Sequence, residues 1–137
     1  MYINRQGFIR VAAASPRLRV ADCDYNRREI QSMIGEAVEQ QVQVVCFPEL
    51  SLTGYSCGDL FFQETLQREA IASLQELAHF MHDNRSLTAI VGLPLRIGSN
   101  LFNMAAVIAA EGIVGLVPKT HVPNDREYYE KRWFAAA

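Results

Sequence analysis

Apolar positions form two kinds of run along this chain, and their alternation sets the expected architecture. Phe8 to Ala14 is a short, nearly continuous apolar stretch stopped by Ser15-Pro16. That length and punctuation suit a mostly buried strand. Asp24-Tyr25-Asn26 then opens a helix, with Asn26 expected as its cap and Glu29 placed to return a hydrogen bond. Ile30, Met33, Ile34, Ala37 and Val38 follow at helical spacing and give that helix, expected to run to about Gln41, one apolar face. Val42 to Phe47 is the next apolar run, and Pro48 ends it. Leu66, Ala70, Leu74, Leu77, Ala78 and Met81 mark a second amphipathic helix closed by Asp83-Asn84, and Leu87 to Leu93 reads as a third strand.

Strand, helix, strand, helix and strand in this order predict a right-handed βαβαβ unit with a parallel sheet, so the fold class is α/β. The style changes after Leu93. Met104 to Ala110 and Ile113 to Val117 flank Glu111-Gly112, which predicts a β-hairpin. The segment Asp125 to Trp133 is polar and aromatic, with room for one or two helical turns. No internal repeat, low-complexity tract or linker interrupts residues 1–137, which are expected to belong to a single domain. Ala135-Ala136-Ala137 carries no stop signal, and the expectation is a chain cut inside that domain.

Composition narrows the picture. The chain has 137 residues, 50% hydrophobic and 20% charged, which suits a globular domain and excludes a disordered tail. No apolar run is long enough to span a membrane, and Met1 to Gly7 lacks the apolar core of a signal peptide. A net charge of -2 offers no bulk attraction to nucleic acid or anionic lipid. Arg5, Arg10, Arg17 and Arg19 precede any acid and are expected to be solvated surface residues. Cys23, Cys46 and Cys57 form no CxxC pair, which argues against a disulfide framework or structural zinc and for a reducing, cytoplasmic compartment. His79 and His82 lack the further ligands that a metal would need.

Open parallel sheets place ligands beyond the carboxyl ends of their strands. Glu49, in Phe47-Pro48-Glu49-Leu50, is the first acid after a buried run and stands at such an end. Held there and partly desolvated, its carboxyl would have a raised pKa and could act as a general base. In the turn that follows, Gly54 is placed to supply a positive φ. Lys119, in Val117-Pro118-Lys119-Thr120, also follows an apolar strand, and an ammonium there could stabilise an oxyanion. Glu127, Glu130, Lys131 and Arg132 interleave with Tyr128, Tyr129, Trp133 and Phe134, a mixture more typical of packing than of base stacking.

Together these segments resemble one family. Phe47 to Tyr55 resembles the glutamate motif of the nitrilase superfamily of carbon–nitrogen hydrolases, and Val117 to Thr120 resembles its lysine motif. Val91-Gly92-Leu93-Pro94 and Asn103 to Ile108 fall between them at matching spacing. Pro123 to Phe134, with Cys57-Gly58-Asp59-Leu60-Phe61, is similar to the glutaminase domain of the glutamine-dependent NAD⁺ synthetases. The resemblance implies the opening half of an αββα sandwich, with one sheet face uncovered and prone to association. It implies a Glu-Lys-Cys triad in which Glu49 is the base and Lys119 the oxyanion stabiliser. Tyr55, Tyr128 and Glu130 match positions lining the glutamine pocket, whereas Asp125 stands where an aromatic is usual.

In that family the nucleophilic Cys comes later than the lysine segment, so this chain alone is expected to be inactive. Cys46 is expected to be core, Cys23 to lie in a polar loop, and Cys57 to be the one serious substitute. The parent activity implied is hydrolysis of L-glutamine to supply ammonia for ATP-dependent amidation of nicotinic acid adenine dinucleotide. That implies no cofactor in this chain, ATP and Mg²⁺ in a separate synthetase domain, and a homo-oligomeric, cytoplasmic parent with neither nucleic-acid nor membrane partners. Two other readings stay open: another nitrilase-type amidase or carbamoylase, and a non-catalytic α/β interaction module.

Overall fold

A computed structural model describes residues 7–137. Arg5 and most of the N-terminal stretch read above lie outside these residues. The sheet has five strands in sequence order: β1 (Val11–Ala13), β2 (Val44–Cys46), β3 (Thr88–Ile97), β4 (Asn100–Ala109) and β5 (Gly112–Pro118). β1, β2 and β3 are parallel; β3, β4 and β5 are joined as antiparallel hairpins. Helices α1 (Cys23–Glu39) and α2 (Glu64–Met81) supply the two crossovers between the parallel strands.

Both helices bury one stripe against one face of the sheet. Ile30, Ile34 and Ala37 from α1 and Leu74, Leu77 and Met81 from α2 join Val45, Ala89, Val91, Leu93, Ala106 and Ile108 in one core. Each such large apolar side chain contributes about 1.5–3 kcal/mol on burial. The opposite face is open. Val11 is 68% exposed and Val117 58%, with Cys46 exposed and Ile90 and Val107 only half-buried. That is the uncovered sheet face expected of half a sandwich. A smaller cluster, Leu50, Cys57, Phe61, Leu66, Leu101, Val122 and Phe134 among others, closes one end of the sheet.

Three local expectations differ from the structure. The cap of α1 is Asp22, which accepts from the Tyr25 amide at 3.1 Å. Asn26 lies inside the helix, fully buried, because its side chain pins the preceding loop through both backbone groups of Arg19 and reaches the Leu52 carbonyl. The helix stops at Glu39; Gln41 turns left-handed and Val42 donates back to the Ala37 carbonyl. β3 runs on past Leu93 and pairs through a tight turn at Gly98-Ser99 with a β4 that starts at Asn100, so there are two hairpins rather than one. Pro94 does not end β3, because β2 pairs only as far as Ile90 and the proline sits where that edge of the strand is free. Asp125 to Trp133 makes one helical turn, as expected, in the form of a short 3₁₀ segment, Glu130–Arg132. The close of α2 is as expected: the Asn84 side chain donates to the Phe80 carbonyl at 2.9 Å. Among the described residues no helix is long and apolar enough to cross a membrane.

Candidate active site

Glu49 emerges at the carboxyl end of β2. The Phe47 amide still donates to the Ile90 carbonyl, and Pro48 then has no N–H with which to continue the ladder. Leu50 turns the chain left-handed at φ 52°. Ser51 Oγ accepts from the Gly92 amide at 3.0 Å, and the Leu52 amide donates to the Gly92 carbonyl at 3.0 Å. The strap Glu49 to Leu52 therefore lies directly across β3 at Gly92. Gly54, at φ 83°, completes the turn by donating to the Leu50 carbonyl.

Lys119 follows the last residue of β5, and its amide donates to the Asn103 carbonyl at 2.8 Å. Its Nζ donates to Glu49 Oε2 at 2.8 Å and to Glu130 Oε2 at 3.0 Å and Oε1 at 3.1 Å. The two strand-end residues picked from sequence thus meet directly, 70 positions apart. Glu130 is 2% exposed, and a carboxylate buried so deeply must be paired and hydrogen-bonded. Lys119 provides the counter-charge, and the Tyr55 hydroxyl donates to Glu130 Oε1 at 2.8 Å. Glu130 accordingly sits behind the lysine, with both carboxylate oxygens occupied. Tyr128 is exposed and stands in the turn that leads to Glu130, its amide donating to the Asp125 carbonyl.

The tail carrying Glu130 is fastened from the other side. Asp59 receives two hydrogen bonds from the Arg132 guanidinium, both at 2.7 Å, and one from Trp133 Nε1 at 2.9 Å. Asp59 belongs to a 3₁₀ segment, Gly58–Phe62, whose Phe61 ring packs 5.0 Å from Phe134 and 5.8 Å from Trp133. The Arg132 hydrogen bonds, then that of Trp133, hold the Asp59 carboxyl well below the usual carboxylate range.

Electrostatics keep Lys119 charged. Burial pulls its pKa down, but the hydrogen bonds and charges of Glu49 and Glu130 outweigh it, and the net shift is upward. Burial, then the Glu130 hydrogen bond, pushes the Tyr55 hydroxyl far up, so it stays protonated and donates to Glu130. The Glu49 side chain is 47% exposed. Two donors meet on one of its oxygens, since Asn103 Nδ2 also donates to Oε2 at 2.8 Å. Asn103 was not singled out as a site residue from sequence. The available signal was a polar residue inside an otherwise apolar strand.

A cavity of about 290 Å³ opens beside this group on the uncovered face, lined by Cys46, Glu49, Ile90, Asn103, Ala105 and Lys119 among others. Cys46 is thus a wall of the cavity and not core, because the β2 pleat turns Val45 toward the helices and Cys46 away from them. Cys57 is buried, with its thiol donating to the Thr53 carbonyl at 3.1 Å. Cys23 is the first residue of α1 and is also buried, not part of a polar loop.

A mixed sheet covered by helices on one face, with a carboxylate–ammonium–carboxylate group at the carboxyl end of its parallel strands, defines an α/β protein equipped for proton transfer and anion stabilisation. Residues 10–136 match the carbon–nitrogen hydrolase family, and the chain belongs to it. It is 33% identical over 131 residues to the glutamine-dependent NAD(+) synthetase of Mycobacterium tuberculosis, a match covering 96% of this chain and 19% of that protein. The Aquifex aeolicus protein of the same name is 30% identical over 126 residues, covering 92% of this chain and 22% of its own length. The crystal structure of a glutamine-dependent NAD(+) synthetase from Cytophaga hutchinsonii superposes with a TM-score of 0.85 at 30% identity, over 93% of this chain and 22% of that one. An amidase from Nesterenkonia sp. shares the fold, with a TM-score of 0.81 at 21% identity, over 94% of this chain and 48% of its own. The chain spans about a fifth of the length of the curated relatives it matches.

Proposed function

We propose that this chain serves as the opening part of a glutaminase unit, in a longer protein that uses the released ammonia to amidate nicotinic acid adenine dinucleotide to NAD⁺. The observation that carries the reading is the direct Lys119–Glu49 hydrogen bond in the lining of the cavity. It puts a base and a fixed cation within one small-molecule length of each other. A thiol supplied elsewhere in the protein attacks the side-chain amide carbon of glutamine, and Glu49 takes its proton. The carbonyl oxygen becomes an oxyanion stabilised by the Lys119 ammonium. The tetrahedral adduct collapses to a thioester, and the proton held by Glu49 passes to the departing nitrogen as ammonia leaves. Water, deprotonated by Glu49, then attacks the thioester and frees glutamate and the thiol.

Glu130 keeps Lys119 in place and charged, and Tyr55 keeps Glu130 oriented. Tyr55 and Tyr128, both exposed to solvent on one side, would contact the substrate. ATP and Mg²⁺ belong to the separate amidating domain, and the parent is cytoplasmic and homo-oligomeric. The test is a substrate panel on the full-length protein encoded by this reading frame: glutamine, short aliphatic amides and carbamoylated amines, with released ammonia measured. Preference for glutamine, coupled to NAD⁺ formation when ATP is present, supports the reading. Preference for a simple amide or a carbamoyl compound would favour the amidase alternative, and no turnover of any would favour a non-catalytic module.

A further inference from the structure

We infer that Asn103 is a positioning residue for Glu49, fixing which carboxylate oxygen works as the base; this deepens the amide-hydrolysis reading and rests on it. Asn103 is 3% exposed, in the middle of a strand whose neighbours Met104, Ala106 and Ile108 feed the apolar core. A polar side chain buried there is costly unless bonded. By register it lies on the open face with Ala105, opposite Pro94, while Met104 faces Leu93 on the helix side. Its Nδ2 spends a hydrogen bond on Glu49 Oε2 at 2.8 Å, and its backbone carbonyl receives the Lys119 amide at 2.8 Å. One residue therefore touches both partners of the ion pair, the carboxylate by its side chain and the lysine by its backbone.

Asn103 Nδ2 and Lys119 Nζ both donate to Oε2. Among the described residues no donor reaches Oε1. Oε2 is anchored, and Oε1 keeps its lone pairs for an incoming proton. Lysine alone would not fix this choice. Its ammonium sits on a flexible stem and forms three hydrogen bonds here, two of them to Glu130. The amide of Asn103 is held by a β-strand and offers one fixed direction. Misplacing a reacting group by about 1 Å can cost on the order of 100-fold in rate.

The experiment compares wild type, Asn103→Ala and Asn103→Asp in the full-length protein, with kcat and KM for glutamine measured separately. Asn103→Asp keeps the shape, so packing and the backbone bond to Lys119 survive, but it sets a second acceptor against Glu49. The expected result is a kcat lowered roughly 10- to 100-fold in Asn103→Ala with KM nearly unchanged. Asn103→Asp should lose more. Wild-type kcat in Asn103→Ala, a loss confined to KM, or equal losses in the two variants would overturn the proposal. A second arm does not depend on activity. Crystal structures of wild type and Asn103→Asp should show the Glu49 carboxylate turned away from residue 103 in the variant. An unmoved carboxylate overturns the proposal. A wild-type protein that hydrolyses no amide would bring down the hydrolase reading, and the crystal arm would still decide Asn103.

Discussion

Gly92 lies so close beneath Leu50 that a Cβ on the glycine would stand 2.2 Å from the Leu50 amide nitrogen and 2.7 Å from the Glu49 carbonyl carbon. Those atoms are backbone and cannot rotate aside. Gly92→Ala should therefore lift the Glu49 strap off β3 and break the Ser51 and Leu52 bonds to residue 92. Overpacking of this kind costs about 1–3 kcal/mol. Chemical denaturation should show that loss, and glutaminase kcat in the full-length protein should fall further than stability alone explains. A Gly92→Ala protein with wild-type kcat would show that the close approach is incidental.

Glu49→Gln keeps the volume but removes the proton acceptor. Glutamine-dependent product formation should disappear while synthesis from free ammonia continues. Parallel assays with glutamine and with an ammonium salt check this; equal loss of both would move Glu49 out of the hydrolytic step.

Lys119→Ala should lower glutaminase kcat by roughly 100-fold or more, the scale for losing one oxyanion donor. The same change strands Glu130, buried and without its cation, so thermal stability should drop as well. Lys119→Ala combined with Glu130→Gln should recover stability but not kcat. Recovery of both would make the lysine structural.

Asp59 gives a pH signature. Its folded-state pKa is depressed, so its contribution to stability is complete above the ordinary value near 3.8 and fades as pH falls below it. Asp59→Asn should melt below wild type at pH 7, and the gap should narrow as the pH is lowered toward 3. A gap independent of pH would mean that the Arg132 and Trp133 hydrogen bonds do not depend on the charge.

The three thiols should separate by reactivity. Burial pushes the Cys23 thiol up to about 12, and burial also raises Cys57. Neither offers a thiolate at neutral pH. Iodoacetamide should label Cys46 in the native chain, and Cys23 and Cys57 only after denaturation. The chain by itself should release no ammonia from glutamine, with Cys46→Ala and Cys57→Ala as controls. Turnover that either substitution abolishes would make that cysteine a nucleophile.

Much of the fold and of the site is legible in the sequence. The strands and helices followed from apolar period and from prolines, and Glu49 and Lys119 were exposed by standing at the ends of apolar runs. The errors came from side chains recruited by distant partners. Asn26 has the sequence look of a cap, but Leu52, 26 positions away, claims its amide. Pro94 reads as a strand stop unless one knows that β2 ends its pairing at Ile90. Cys46 sits in an apolar run of which only every second residue faces the helices, and that phase is set by sheet pairing. Glu130 stands out only through the family resemblance, because its cation lies 11 positions back, beyond one helical turn.

The uncovered sheet face also bears on the ion pair. Val117, Ala105, Ile90 and Cys46 floor the cavity and belong to that face, so any apolar layer laid over it also displaces water around Glu49 and Lys119. Two charges about 4 Å apart attract by about 1 kcal/mol in water and about 4 kcal/mol at an effective dielectric constant of about 20. The cover would act as an insulator, and the strength of the acid–base pair would be a property of the assembled layers rather than of the strands that carry it.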